Sequence, residues 1–465
     1  MPDAPLPFIQ ALPDPTRVEV VETHISWVLL AGAFAWKVKK PIKLPFLDYS
    51  TVALRRACCE EELRLNRRFA PQLYLDVVDL AGEPAVKMRR FDEAQRLDHV
   101  CAHCDLTGAH LSAFARDLAA FESQAAVPLA TSIFGSPETI LADALENFDE
   151  LERLLPDAAV HLASLRQWTQ TEWALRAMDF AQRKAAGRVR EGHGDLHLGN
   201  LVLLEGRVVP FDGIEFNAGF RNIDVASEIA FTLLDLLDHQ RPGLATWLLS
   251  EWLVWSGDFA ALTVLRFYLV YRAMVRAKVA ALQEKRDECL TYLSLATRLA
   301  ATPSPTLTIT HGPSGCGKTW ASSRRLASAD FLDTVRIRSD VERKRLFGLA
   351  PHDSSAASGG AIYTPEATTR TYARLAELAE RSLTADWSVI VDAAFLKRAE
   401  RDQFRALAAR LGVPFAILAP TAVPEELARR IALRQNDASE ATVAVLEQQL
   451  HWLEPLGSDE IWISL

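Results

Sequence analysis

Leu307-Thr308-Ile309-Thr310-His311-Gly312-Pro313-Ser314-Gly315-Cys316-Gly317-Lys318-Thr319 is an apolar run leading straight into a complete G-x-x-x-x-G-K-T string. The run reads as a buried strand. The glycines at 312, 315 and 317 let the backbone curl so that successive N–H groups face phosphate oxygens, and the helix that follows adds its positive end. In such a loop Gly312, Pro313, Ser314, Gly315, Cys316 and Gly317 form the cradle. Lys318 reaches the β- and γ-phosphates, and Thr319 is the expected magnesium ligand. Strand-like runs recur at 334–337, 388–391 and 415–418, each separated by a helical segment. That alternation predicts an α/β unit with a parallel sheet, helices on both faces and the glycine loop at the end of its first strand.

Outward from the loop, Arg338-Ser339-Asp340 follows the second strand, and Asp340 is the candidate carboxylate for activating an acceptor hydroxyl. Val389-Ile390-Val391-Asp392 ends on a carboxylate but continues with Ala393 and Ala394. No second acid stands there to polarise water, which favours transfer to an acceptor over hydrolysis. Arg430 and Arg434, four apart on one helix face, resemble the lid arginines of nucleotide and small-molecule kinases that close over a transferring phosphate, with a solvated helix face as the alternative. Phe395, Arg398 and Arg401 are further candidates for an acceptor pocket, and Ser354 to Gly360 reads as a mobile loop beside it. The segment 307–465 resembles the kinase branch of P-loop proteins related to polynucleotide kinases, zeta toxins and chloramphenicol phosphotransferase.

The Pro/Ser/Thr stretch Ala300 to Thr306 marks a seam, with 301–306 as the expected linker. Before it lies a second phosphate signature, His193-Gly194-Asp195-Leu196-His197-Leu198-Gly199-Asn200, followed by Phe211-Asp212-Gly213. Strand patterns at 18–21, 26–30 and 34–39, a charged helix over 51–69 and a strand pair turning at Gly82 come first. Helical periodicity then dominates to Leu299. This order predicts an α+β protein-kinase-like unit over 1–300, with a small lobe to about residue 91 and a helical lobe over 92–300.

The H-G-D-x-H-x-x-N string resembles the catalytic loop of the aminoglycoside-phosphotransferase-like branch of the kinase fold. The resemblance implies that Asp195 orients the acceptor hydroxyl and takes its proton, while Asn200 and Asp212 hold magnesium. His193 is expected to be a scaffold residue, and Glu215 a contact to the metal or its ligands. Ala35-Trp36-Lys37 resembles the A-x-K strand motif whose lysine pairs with a helix glutamate and holds the α and β phosphates. Lys39, two residues on, shares the face of Lys37. Glu62 is the first-choice partner and Glu61 the alternative. Arg272 and Arg276 meet either an anionic substrate and the acidic cleft or surface partners. Arg221 and Asp224 are assigned to capping or an intralobe bridge.

The chain has 465 residues, too many for one ordinary core, so two or three domains are expected. Its net charge of −9 argues against extended nucleic-acid binding. The most apolar region, Ile229 to Leu282, is interrupted by Glu251, Asp258 and Arg266, so it reads as buried helices and no membrane association is expected. Six irregularly spaced cysteines and no visible signal peptide fit a cytoplasmic setting. Cys101-Ala-His-Cys104 lacks a second C-x-x-C and reads as packing rather than zinc binding. These features predict a bifunctional transferase using ATP and Mg2+ to phosphorylate small-molecule or nucleotide-like hydroxyl acceptors. An ATP-binding regulatory or ATPase switch, and a nucleic-acid end kinase in the second half, are the alternatives.

Overall fold

Five strands, β1 (Val18–Glu22), β2 (Ser26–Ala31), β3 (Phe34–Lys39), β4 (Tyr74–Leu80) and β5 (Glu83–Arg89), pair antiparallel in the order β1-β2-β3-β5-β4. The computed structural model describes residues 5–44, 47–301, 304–355, 361–432 and 442–463. Arg434, residues 356–360 of the small-residue stretch and residues 302–303 of the expected linker lie outside them. Alternation along β3 divides its two faces. Trp36 and Val38 join an apolar cluster with Trp27, Leu29 and Leu80. Lys37 and Lys39 leave from the opposite face, and both are buried.

Helix α1 (Val52–Asn66) covers that lysine face. It starts at the Thr51 cap, whose side chain accepts from Leu54 N at 3.2 Å. The helical lobe follows, built from α2 (Gly108–Gln124), α3 (Pro137–Leu154), α4 (Ala159–Ala185), α5 (Val225–Asp238), α6 (Pro242–Ser256), α7 (Leu262–Leu282) and α8 (Arg286–Ala300). The apolar stretch 229–282 supplies α5, α6 and α7, and α5 is buried from Val225 through Leu237. Among the described residues no helix is long and apolar enough to cross a membrane. Between α4 and α5 the chain forms the His193–Asn200 loop, then the short hairpin β6 (Leu201–Leu204) and β7 (Arg207–Pro210). This is the α+β kinase-like arrangement.

The second half is an α/β P-loop unit. Strands β8 (Leu307–Thr310), β9 (Thr334–Arg338), β10 (Ser388–Asp392), β11 (Phe415–Leu418) and β12 (Trp462–Ile463) form a parallel sheet in the order β9-β10-β8-β11-β12. Helix α9 (Lys318–Ala327) opens directly from the glycine loop, α10 (Ser339–Leu346) from the end of β9, and α11 (Pro365–Thr384) precedes β10. Helix α12 (Arg398–Leu411) precedes β11, and α13 (Pro424–Ala432) and α14 (Val443–Trp452) follow it.

The halves do not keep separate cores. Apolar side chains of α5 to α8 run without a break into those of β8, β9 and β10. The reason is that α6 packs against β9 and α9, while Trp387 reaches back to donate its Nε1–H to Leu262 O at 3.0 Å.

Candidate active sites

In the first half, the lysine face of β3 meets α1 and the loop after β7. Lys37 Nζ donates to Glu62 Oε1 at 3.0 Å and is paired with Asp212. Lys39 Nζ donates to Glu62 Oε2 at 2.7 Å, lies 3.2 Å from Tyr49 OH and is paired with Glu215. Burial opposes charging either lysine, but the surrounding carboxylates outweigh it and hold both ammonium groups well above the usual range. Burial likewise works against the Glu62 carboxylate, yet the two lysines bring it down to about 2. Glu62 therefore anchors both cations. Glu61 instead pairs with Arg64 and Arg221.

The Asp212 backbone is left-handed, with φ of 62°. Its N–H donates to Tyr74 OH at 2.9 Å, and Gly213 N–H donates to Asn66 Oδ1 at 2.8 Å. Asn66, one helical turn beyond Glu62 on α1, thus fixes the loop that carries Asp212. Opposite, Asn200 Nδ2 donates to Asp195 O at 3.0 Å and to Asp195 Oδ2 at 2.9 Å. His197 Nε2 stands 3.5 Å from Asp195 Oδ2, while its Nδ1 accepts from Gly199 N–H at 3.1 Å, which selects the Nε2–H tautomer. Burial opposes ionisation of Asp195, but His197, together with His193 and Arg272, outweighs it and holds the carboxyl well below its ordinary value. His193 donates through Nε2 to Phe211 O at 2.9 Å, and burial pushes its pKa down to about 4, as suits a neutral scaffold residue.

Lys37, Asp195, Asn200, Asp212 and Glu215 all line one cavity of about 2200 Å³ between the lobes. Asn200 Oδ1 and the Asp212 carboxylate, its side chain 42% exposed, are hard oxygen donors of the kind Mg2+ takes. Arg272 also lines the cavity, stacked 4.7 Å from the Phe231 ring centroid. Arg276 turns away to Tyr292 and Asp235.

In the second half the glycine loop adopts the conformation its sequence requires. Gly312, Gly315 and Gly317 have φ of 128°, 85° and 101°. A Cβ at Gly315 would stand 2.7 Å from Leu427 O, so α13 lies directly against the loop. Lys318 Nζ donates to the Gly312 and Pro313 carbonyls, each at 2.8 Å. Ser314 N–H donates to Gln449 Oε1 at 2.6 Å, and Arg430 Nη1 to Gly315 O at 3.3 Å. The carboxyl ends of the adjacent strands β8, β10 and β9 bring the loop, Asp392 and Asp340 to one edge of the sheet. Asp392 Oδ2 accepts from Ser322 Oγ at 3.1 Å. Thr319 lies in the first turn of α9, one residue after Lys318.

A family model described as an AAA domain matches residues 307–456. Uncharacterized protein Rv2004c of Mycobacterium tuberculosis is 30% identical over 461 residues, covering 94% of this chain and 91% of its own. Uncharacterized protein Mb2027c of Mycobacterium bovis gives the same values. The chain belongs to the family of these mycobacterial proteins. Solved structures with partial likeness include the GDP and kanamycin complex of APH(2")-IIia, 14% identical, covering 64% of this chain and 97% of that one, with a TM-score of 0.43. Kti12 of Chaetomium thermophilum in complex with ADP-AlF3 is 16% identical, covering 34% and 88%, with a TM-score of 0.25.

The residues that sequence reasoning singled out in this family member gather as two groups. Lys37, Asp195, Asn200 and Asp212 line the first cavity, with Glu62 buried behind Lys37, and Gly312 to Thr319, Asp340 and Arg430 lie along the carboxyl edge of the parallel sheet. Arg401 departs from expectation. It is buried against Glu460 and bonds to the carbonyls of Phe395 and Leu396, so it closes the core rather than lining an acceptor pocket. Arg398 likewise pairs with Asp459. Asp224 caps α5 and pairs with buried Arg183. Cys104 Sγ lies against Arg241, and both Cys101 and Cys104 are free thiols. Sequence reasoning passed over Asn66, Tyr49, His197 and Gln449. The four-residue spacing from Glu62 was the available signal for Asn66, whereas Gln449 approaches the loop only through the tertiary fold.

Proposed function

We propose that the protein is an ATP-dependent phosphotransferase with two catalytic centres, residues 1–300 forming one unit and 307–465 the other. Each moves the γ-phosphoryl group of ATP to a hydroxyl of a small-molecule or nucleotide-like acceptor. The observation that carries the reading is the meeting, at one cavity, of Lys37 backed by buried Glu62, the Asp195–Asn200 pair and Asp212. Phosphoryl transfer is largely a matter of positioning and charge neutralisation, and these are the groups it needs. Lys37 holds phosphate oxygens, and Asp195, kept ionised at neutral pH, orients the acceptor hydroxyl and accepts its proton. Asn200 and Asp212 hold Mg2+, which when bound neutralises charge on the phosphate oxygens. In the second centre Lys318, Thr319 and the loop amides take the triphosphate, Asp340 faces the acceptor, and Arg430 closes from α13, with Arg434 as its partner.

A second reading, in which the P-loop unit is a nucleotide-gated switch, is favoured by one observation. The Ser314 amide and the Lys318 ammonium are already bonded within the chain. The two readings separate in a transfer assay with γ-labelled ATP and a metabolite and tRNA extract, followed by mass spectrometry. Asp195→Ala lowers formation of one product by roughly 10²–10⁴-fold and leaves the second. Lys318→Ala does the converse. Turnover of ATP without any phosphorylated product sinks the two-transferase reading and leaves the switch.

A further inference from the structure

Two lysines on one strand face share a single glutamate. Lys37 takes Oε1 of Glu62 and Lys39 takes Oε2, and Glu62 has no solvent exposure. Lys37 also bridges to Asp212. A phosphate oxygen would compete with Asp212 for Lys37, and a metal ion would compete with Lys37 for the Asp212 carboxylate. Through that exchange Glu62 stays buried, and a buried carboxylate that loses its partner is strongly unfavourable.

Lys39 is placed to prevent this. Its ammonium is wholly enclosed, between Glu62, Tyr49 and Glu215. Tyr49 OH donates to Glu215 Oε1 at 2.5 Å, so Glu215 accepts from two buried donors at once. Tyr49 is itself pinned. Its N–H donates to Ile42 O at 2.9 Å and its carbonyl accepts from Arg55 Nη1 at 2.7 Å, while Arg55 is held by Glu83 on β5. Glu215 lies three residues after Asp212 and lines the same cavity. Left free, it would be a second carboxylate competing for the cation and an unanchored end for the Asp212 loop.

We propose that Lys39 is a positioning residue for the first centre. With Tyr49 it clamps Glu215, fixing the Asp212–Glu215 loop to β3, and it keeps Glu62 neutralised while Lys37 turns to the nucleotide. The inference rests on the kinase reading of this centre.

The test uses the full chain carrying Lys318→Ala, so that the first centre alone reports, and calorimetric titration with a non-hydrolysable ATP analogue over a range of Mg2+. Glu215→Gln raises the Mg2+ needed for half-maximal nucleotide binding by roughly 10–100-fold, with the Mg2+-free affinity unchanged within about twofold. Tyr49→Phe, which removes one bond and no charge, moves the requirement the same way by a smaller factor and decides the matter if Glu215→Gln does not fold. Lys37→Met lowers affinity at every Mg2+ concentration. An unchanged Mg2+ requirement in the folded clamp variants, with Mg2+-dependent binding intact in the reference protein, overturns the clamp alone. Absence of nucleotide binding by the reference protein overturns the kinase reading and the clamp together.

Discussion

Glu228 lies beneath the His193–Asn200 loop and accepts the N–H groups of His193 and Gly194, each at 3.2 Å. Burial pushes its carboxyl from 4.5 up to about 7, against the pull of Arg272 and those two amides. The folded chain therefore keeps a proton there that the unfolded chain releases above pH 4.5. The associated stability is complete below pH 4.5 and is lost as pH rises through 7, a change of about 3 kcal/mol. Urea denaturation between pH 5 and 8 is expected to show this fall in the native chain and a flatter profile in Glu228→Gln. Equal slopes for the two proteins count against it. Not every such residue was readable beforehand. Asp195, Asn200 and Asp212 stand out because their chemistry demands fixed offsets along one loop and one turn. Lys37 and Lys39 did not separate, because a period of two gives both the same face, and only the positions of Asp212 and Glu215 tell them apart. His197 was visible in the motif string, but its 3.5 Å approach to Asp195 depends on the tight turn that brings residue 197 back.

At the scale of elements, the helices after β11 matter most. Helix α13 leans on the glycine loop through Leu427, and α14 extends Gln449 to the Ser314 amide. A phosphate oxygen would claim the same N–H, since the loop's turn aims successive amides to one point. Nucleotide binding at the P-loop must therefore displace the Gln449 carbonyl. Gln449→Ala removes the competitor, and one hydrogen bond of ordinary worth corresponds to an affinity gain of about 2–10-fold. Calorimetry in a chain carrying Lys37→Met isolates this centre, and an affinity equal to or weaker than that with Gln449 intact sinks the idea. The parallel β-α alternation and the loop at the end of β8 were legible because strand periodicity and the glycine string coincide. The order β9-β10-β8-β11-β12 and the short final strand were not, because pairing between distant segments leaves no trace in local pattern. The same holds for Arg401, whose charge suggested a pocket while its partner Glu460 waits near the far end of the chain.

At the scale of the whole molecule, the seam between the halves is a packed interface. Arg336, 2% exposed on β9, donates to Glu251 of α6 at 3.1 Å and to Ser323 of α9 at 2.6 Å, over the Trp247 ring. Arg266 of α7 stacks 5.3 Å from the Trp387 ring centroid, beside the Trp387 bond to Leu262. A continuous core of this kind makes the two units unfold together, so one cooperative transition is expected where two separable domains would give two. The tightest approach is at Gly243, where an added Cβ would meet Ala327 O at 2.1 Å. That oxygen is backbone at the end of α9 and cannot rotate aside, so Gly243→Ala must push α6 away from the P-loop helix and loosen Arg336 from Glu251. Overpacking of this type costs about 1–3 kcal/mol. The expected result in urea is a lowered midpoint with still one transition. A midpoint unchanged from the native chain would mean that α6 and α9 are not held against each other, and the shared core would then fail as the basis of the molecule's cooperativity.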